Sequence, residues 1–495
     1  VNNFLAVPPK TVLERELNNP ASAARAALSA TFVPKWKANT AYLAGDKVLS
    51  PAGDVVSAKV NFTSGASYSA ANWNLSTTFA TVEALNNASS PAPASASLLP
   101  PKPKRQLIQT FQAGHGWTFQ TPSGGTITAD TTDYSIGSQS IKMMTPGLTG
   151  STPGVSVYKF GAPAVDMTNK QFALLVKVTN SEALRSINLQ FGTGSLAQSS
   201  TANFMSNQPE WDMHLGPDGR WSWITIPWNP ALAGTAPNRA AITDFNLTVT
   251  DKGTGVPVEF RLGAIAAVPI PSVWTNGCLT FNFDDGFLSH YTIARPILAA
   301  YDFPADAYPV LEQLDKVNGM TTAMLKELQD TNRWLIGAHS DTWANHNRSL
   351  ASQTADEREQ FVRSNRQGLA DRGLRGFDFF AYPGGISTGP NYEIAQQFYA
   401  SARTVNQRQR ETLPASDPHK LRIKLVDATV TSAAIAAEID TAYANNFHLI
   451  LVFHDIVASG ATGGATNKAT LQAIVDYAAT KGIPVKTTAE VFATR

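Results

Sequence analysis

The hydrophobic rhythm of the chain changes three times. Over residues 1–33 the apolar positions follow helical spacing, through Thr11-Val12-Leu13-Glu14-Arg15-Glu16-Leu17 and then, past the break at Asn19-Pro20, the alanine-rich Ala21-Ser22-Ala23-Ala24-Arg25-Ala26-Ala27-Leu28. That helical segment has too little apolar surface for a core of its own, so it is expected to attach to a partner chain. Residues 34–88 read as short β-favouring runs parted by turns such as Pro51-Ala52-Gly53-Asp54, which predicts a small all-β module. Its aromatic residues Trp36, Tyr42 and Trp73 are expected to form the core, with a sugar-stacking face as the alternative. Residues 89–104 are rich in Pro, Ala and Ser and read as a semi-rigid linker.

Residues 105–271 alternate apolar and polar positions over many short segments, among them Phe172-Ala173-Leu174-Leu175-Val176-Lys177-Val178, Ser186-Ile187-Asn188-Leu189-Gln190-Phe191 and Phe245-Asn246-Leu247-Thr248-Val249. Turn residues recur at the spacing of a β-sandwich. Together with Gly116-Trp117, Ser140-Ile141-Lys142 and Trp223-Ile224-Thr225-Ile226-Pro227, the pattern resembles the jelly-roll sandwiches often found as carbohydrate-binding modules. Trp211 and Trp221 are the candidate sugar contacts. Trp223 alternates with apolar residues and is read as core.

From residue 272 to 495 apolar runs alternate with helical patterns. Leu279-Thr280-Phe281-Asn282-Phe283, Trp334-Leu335-Ile336-Gly337, Phe377-Asp378-Phe379-Phe380-Ala381 and Leu449-Ile450-Leu451-Val452-Phe453 read as strands, and helices are expected near residues 294–300, 320–330, 355–371, 392–401, 432–444 and 469–479. Repeated β–α alternation predicts a parallel sheet, open or closed into a barrel, with functional groups at the C-terminal ends of the strands.

Composition narrows the classes. The 495 residues exceed one ordinary core and imply several domains. With 43% hydrophobic and 16% charged residues and a net charge of +1, there is no basic stripe, so no nucleic-acid partner is expected. The lone Cys278 excludes an intrachain disulfide and reads as a small buried hydrophobe. The first ten residues lack a basic segment followed by an apolar one, so no signal peptide is expected. No apolar run is long enough for a membrane span.

The strand ends of the last region carry the chemistry. The first ends in Phe283-Asp284-Asp285-Gly286. On extended backbone adjacent side chains point to opposite sides, so the two carboxylates can serve a metal and a substrate separately. A second strand ends at Ala338-His339-Ser340, with His346 following, and another ends at Phe453-His454. Between them Phe380-Ala381-Tyr382-Pro383-Gly384-Gly385 stops in a turn with free backbone N–H groups. His290, His419 and His448 belong to no motif and read as surface or structural.

In order and type, these motifs resemble those of the polysaccharide deacetylase family with a NodB-homology domain, carbohydrate esterase family four. The resemblance implies a distorted (β/α) barrel over residues 272–495 and one divalent metal, usually zinc, held by an Asp-His-His triad. It assigns Asp285 and His339 as metal ligands, Asp284 as general base, His454 as general acid and the backbone N–H near Gly384 as oxyanion donor. Tyr382 and Trp343 are the expected substrate contacts.

Two departures from the family pattern matter. Trp343 stands where the second metal-binding histidine belongs, and His346 comes seven residues after His339 rather than four. On a regular helix that separation is about 10 Å along the axis, too long to share a metal at bonds of about 2 Å. Residues 340–345 are therefore expected to loop so that His346 completes the triad, with Asp341 as substitute ligand. The motif arginine is replaced by Ala381, and Arg403 is the candidate to hold the base; a solvated arginine is the alternative.

The opening residues 19–33 resemble the start of minor tail proteins of phages infecting actinobacteria, and the segment from Trp36 to Trp73 is similar to small tail-fibre β-modules. These resemblances imply a virion tail protein acting at the host surface, other tail proteins as partners, and a homotrimer. The expected activity is removal of N- or O-acetyl groups from host wall or capsule polysaccharide. A receptor-binding tail protein that grips glycan without turnover is the alternative.

Overall fold

The computed structural model describes residues 37–42, 47–49, 55–75, 104–121, 124–205, 218–228, 231–233, 236–348, 352–387, 389–405, 407 and 410–493. The expected helical segment 1–33, Trp36, Trp211 and all but the last residue of the linker lie outside these residues. The chain divides into two units, residues 1–92 and 93–495.

In the first unit Ala41–Tyr42 pairs antiparallel with Phe62–Thr63, and Val55–Ala58 pairs with both Lys47–Leu49 and Trp73–Leu75. Tyr42, Val56, Ala58 and Trp73 are buried together, the Tyr42 and Trp73 rings meeting edge-on at 5.1 Å. Both aromatics are consumed by this small core rather than offered to a ligand.

The second unit begins with two six-stranded antiparallel sheets. One centres on Leu184–Thr193, Asp244–Asp251 and Gly154–Lys159, the other on Lys170–Thr179 and Glu259–Pro269. Strand periodicity sends Val155, Val157, Ile187, Leu189, Phe191, Leu247 and Val249 inward from the first sheet, where they share one core with Phe172, Leu174 and Val176 of the second. Phe172 lies 4.6 Å from Phe191, and the Trp228 ring is 4.3 Å from Phe191. Burying each such side chain stabilises the fold by about 1.5–3 kcal/mol. Trp223 departs from its expected core role: it is half-buried, with the Arg105 guanidinium 4.9 Å from its ring centre. Trp221 is half-buried too and donates to Asp133 Oδ1 at 3.0 Å.

These sheets are bonded to the C-terminal part. Thr225 N–H donates to Ser416 Oγ at 2.8 Å, Arg422 donates to Thr225 O at 3.3 Å, and Arg239 donates to Asn445 Oδ1 at 2.8 Å.

The C-terminal part is built on seven parallel strands: β1 (Cys278–Asp285), β2 (Asp306–Pro309), β3 (Leu335–Ala338), β4 (Gly376–Ala381), β5 (Ser401–Arg403), β6 (Lys424–Leu425) and β7 (His448–Phe453). They lie in the order β5-β4-β3-β2-β1-β7-β6. Every residue of β1 and β7 is buried, as strands covered on both faces require. The two edges of this half-barrel approach each other through Leu421, just before β6, whose N–H donates to Ala402 O at 3.0 Å and whose carbonyl accepts from Thr404 N–H at 3.0 Å.

Helices α1 (Arg295–Ala299), α2 (Thr322–Asp330), α3 (Trp343–Asn347), α4 (Ala355–Asp371), α5 (Gly389–Phe398), α6 (Ser432–Asn445), α7 (Lys468–Lys481) and α8 (Thr488–Ala493) complete it. Thr321, Thr354 and Thr431 cap α2, α4 and α6 by accepting a backbone N–H from the first turn. Sequence periodicity anticipated α4 and α6 closely. It missed β2, β5 and β6, of two to four residues each, which are too short to show alternation. No helix among the described residues is long and apolar enough to cross a membrane.

Candidate metal and catalytic site

The C-terminal ends of β1, β3, β4, β5 and β7 converge on one site. Asp284 and Asp285 end β1, but plain pleat alternation does not separate their carboxylates: Asp285 takes a left-handed φ of 70°, followed by Gly286 at 85°. A left-handed backbone is costly for a residue with a side chain and persists where the surroundings impose it. Here it turns Asp285 toward β3 and leaves Asp284 facing β5 and β7.

Asp285 Oδ1 lies 3.6 Å from His339 Nε2 and 3.5 Å from His346 Nε2, and the two imidazole nitrogens are 3.2 Å apart. His339 follows β3 and is buried; its Nδ1–H donates to Ala381 O at 2.8 Å, which leaves the Nε2 lone pair aimed at the other two. His346 reaches them because only residues 340–342 are non-helical. The short α3 then restarts the chain in a new direction, with Thr342 Oγ1 accepting Asn345 N–H at 3.1 Å. The expected loop over 340–345 is therefore shorter, and half of it is helix. Asp341, the substitute ligand, is spent elsewhere: Oδ1 accepts from Thr342 N–H and Asn345 Nδ2, each at 2.8 Å, and Oδ2 accepts from Ser364 Oγ at 2.6 Å.

These donors fit a metal. In a tetrahedral ion with ligand bonds of about 2.0–2.1 Å, adjacent ligand atoms stand about 3.3 Å apart, close to the three distances here. Asp285 Oδ1 is buried without a hydrogen-bond partner, the condition of an acceptor whose counterpart is a cation. Burial alone would raise the Asp285 carboxyl, but His339, with His454 and His346, outweighs it and holds the group below its usual range. Burial and the neighbouring His339 lower His346. His339 itself is raised: burial opposes this, but Asp285 and Asp284 prevail. Asp285, His339 and His346 form the one cluster of three or more such donors among the described residues.

Beside the triad, Asp284 is 5% exposed and ion-paired with Arg403, whose Nε also donates to Asn282 Oδ1 at 3.1 Å. Burial pushes the Asp284 carboxyl up, and the Arg403 guanidinium more than reverses it. Arg403 is itself buried, so it is not a solvated arginine. Ala381 of β4 pairs with Arg403 of the adjacent β5, so the arginine lies one strand over from the alanine. His454, just beyond β7, is 34% exposed and sets Nε2 3.9 Å from Asp284 Oδ2, while its carbonyl accepts from the buried His290 at 2.9 Å.

Gly384 sits at φ 59° in the turn after β4. Gly385 (φ 73°) cannot carry a side chain, since a Cβ would lie 2.3 Å from Val405 Cγ2. Tyr382 requires correction as a substrate contact: its ring is 1% exposed, and its hydroxyl donates to His419 O at 3.0 Å, inside the core. Trp343 is half-buried on α3, its indole 5.1 Å from the His346 ring and edge-on to it. None of His290, His419 and His448 is a surface residue. His419 donates to Tyr399 O at 2.8 Å, and His448 is 2.8 Å from Thr280 Oγ1.

Sequence reasoning overlooked Asn282, Asp306 and Tyr308. Asn282 was visible as a polar residue inside an apolar strand. Its Nδ2 donates to the buried Asp306 Oδ2 at 3.3 Å, and the Tyr308 ring centre lies 5.2 Å from the Arg403 guanidinium.

Residues 275–400 match the family model described as polysaccharide deacetylase. Among solved structures, the chain is similar to the Xyl-CE4 domain of a multidomain xylanase from the hindgut metagenome of Trinervitermes trinervoides, at 17% identity and a TM-score of 0.33, covering 44% of this chain and 90% of that one. It is similar to a family 4 acetyl xylan esterase from Clostridium thermocellum in complex with a cobalt ion, at 18% identity and a TM-score of 0.31, covering 43% and 90%. A family 4 carbohydrate esterase from Streptomyces lividans in complex with acetate matches at 15% identity and a TM-score of 0.29, covering 42% and 91%. No curated protein matches the chain.

Proposed function

We propose that residues 272–495 form a metal-dependent deacetylase that hydrolyses N- or O-acetyl groups on a cell-surface polysaccharide. The observation that carries this is the adjacency of two units: three donors spaced for one divalent ion, and an Arg-held carboxylate facing a half-exposed histidine. Asp285, His339 and His346 would hold the ion, for which zinc suits the nitrogen and oxygen donor set. A bound ion of this kind supplies a water acidic enough to act near neutral pH and polarises the acetyl carbonyl.

The chain's own residues divide the proton work. Asp284, kept ionised by Arg403, accepts the proton of the attacking water at a carboxylate oxygen. His454 delivers a proton from Nε2 to the leaving nitrogen or oxygen as the bond to the acetyl carbon breaks and acetate departs. The backbone N–H of Gly384 is offered to the oxyanion, those of Gly385 and Ile386 being spent on Tyr382 O and Pro383 O. Trp343 at the rim is the remaining candidate for sugar contact.

The alternative, a glycan-gripping domain without turnover, draws on the altered second and third motifs; the pairing of Arg403 with Asp284 and the approach of His346 to His339 favour the catalytic reading over it. On the resemblance of its first residues, the protein is proposed to ride on a phage tail as a homotrimer with other tail proteins, its substrate being acetylated host wall or capsule polysaccharide. The test is acetate release from acetylated oligosaccharides by the full chain, with Asp284→Asn and His454→Ala as controls. Turnover lost in both while metal stays bound supports the assignment, and undiminished turnover in either overturns it.

A further inference from the structure

Helix α3 has five residues, too few to be stable in isolation. It nonetheless carries His346 to within 3.2 Å of His339 across a seven-residue spacing that a regular helix could not bridge. Its first turn is gripped from three directions. Asp341 binds Thr342 N–H and Asn345 Nδ2 with one oxygen and, with the other, Ser364 Oγ of the long helix α4. Glu312 Oε2 accepts Trp343 N–H at 2.8 Å, and Gln313 Oε1 accepts Trp343 Nε1–H at 3.2 Å. The indole fixed in this way lies edge-on against the His346 ring at 5.1 Å.

We infer that Asp341, anchored by Ser364, is a positioning residue that sets the affinity of the Asp285–His339–His346 site for its divalent ion by fixing the approach of His346. The inference rests on the metal-site reading given under Proposed function. Asp341 is not itself a ligand, because both its oxygens are committed to α3 and α4. Ser364 lies in a part of the sequence that no motif reaches; only the packing of α4 brings its hydroxyl to Asp341. Without the clamp, the segment carrying His346 keeps the bonds of Trp343 to Glu312 and Gln313, and part of the ordering of the third donor would fall on the ion as it binds.

The test is the apparent zinc dissociation constant of the full chain, measured by competition with a chromogenic chelator. Wild type is compared with Asp341→Ala, Ser364→Ala, Ser364→Thr and His346→Ala. Loss of a group bonded to a metal ligand costs about 10–100-fold in affinity; Asp341 and Ser364 act one bond further out, so Asp341→Ala and Ser364→Ala should each weaken binding by up to about 10-fold. Ser364→Thr, which keeps the hydroxyl, should restore it. The unfolding midpoint of the metal-free protein should change little, and the visible absorption of the cobalt-loaded variants should differ from that of wild type as the geometry loosens.

Unchanged affinity in both Asp341→Ala and Ser364→Ala, with binding lost in His346→Ala, would overturn the inference and leave the metal site standing. Loss as complete in Asp341→Ala as in His346→Ala, with Ser364→Ala unaffected, would overturn it in another way by making Asp341 a ligand. A wild-type chain that binds no divalent ion would overturn the metal-site reading, and the inference with it. If Asp341→Ala fails to fold, Ser364→Ala, which loses a single oxygen, still decides.

Discussion

Replacing Arg403 by methionine keeps most of the side-chain volume and removes the guanidinium paired with Asp284. Asp284 is then left 5% exposed without its ion-pair partner. If it stays ionised, breaking a buried pair costs about 3–5 kcal/mol. If burial drives it to protonate instead, the charge is given up and the cost falls below that. The cheaper route governs, so the variant should lose no more than about 3–5 kcal/mol at neutral pH.

The sign with pH follows from Asp284 being held below its ordinary value in the native protein. The stability that the pair provides is present above the unfolded carboxyl value and disappears as pH falls through the folded one. The deficit of Arg403→Met should therefore be largest near neutrality and vanish in acid. Activity should follow: the acid limb of kcat/KM for acetate release should move to higher pH. Urea unfolding across pH, on metal-free protein, reads the first effect, and pH–rate profiles read the second. Adding Asp284→Asn to the variant should recover much of the lost stability. An acid limb that superimposes on wild type, with metal content intact, would refute the role given to Arg403.

Asp306, buried beneath Asn282, is pushed up to about 7 chiefly by burial, which outweighs its hydrogen bonds with Thr488. Its charged form is the disfavoured one in the fold, so the penalty is absent below about pH 4, grows through the interval and is complete above about 7. Asp306→Asn should flatten the fall in urea midpoint between those limits, and an unaltered slope would contradict this. His448 is lowered to about 3 by burial, so it is neutral in the fold and its contribution is lost as pH falls from about 6.5 toward about 3; His448→Gln should soften acid unfolding in that window. Gly385→Ala forces a Cβ into Val405 at positive φ. It should destabilise the protein by more than 1 kcal/mol, roughly, and slow acetate release through the neighbouring Arg403. A chelator should lower the thermal midpoint of wild type, with zinc restoring it; a midpoint indifferent to both would count against a bound ion.

The sequence by itself determined the β–α rhythm of the C-terminal part and the strands that end in Asp284–Asp285, His339 and His454. These follow from local facts: a buried parallel strand must be apolar along its length, and a polar residue at its end stands out against that run. Helices α4 and α6 were legible for the same reason, with a long period and a threonine cap. The small-module core of Tyr42 and Trp73 was legible too, because so few residues must use their aromatics internally.

Other features were decided only by the tertiary structure. Strand β5 has three residues, so nothing along the chain showed that Arg403 lies beside Ala381 and against Asp284. Tyr382, beside the turn glycines, looked exposed but turns into the core because His419 O accepts its hydroxyl. The carboxylates of Asp284 and Asp285 are parted by the left-handed backbone of Asp285 itself, a conformation costly for a residue with a side chain and held by the packing around it. The seven-residue step from His339 to His346 is closed by a helix too short to form alone. It is held by Asp341, Glu312, Gln313 and Ser364, which are brought to it from three separate stretches of the chain. Local propensity can name candidate ligands, but their distances depend on contacts between residues remote in sequence, and those contacts exist only in the folded chain.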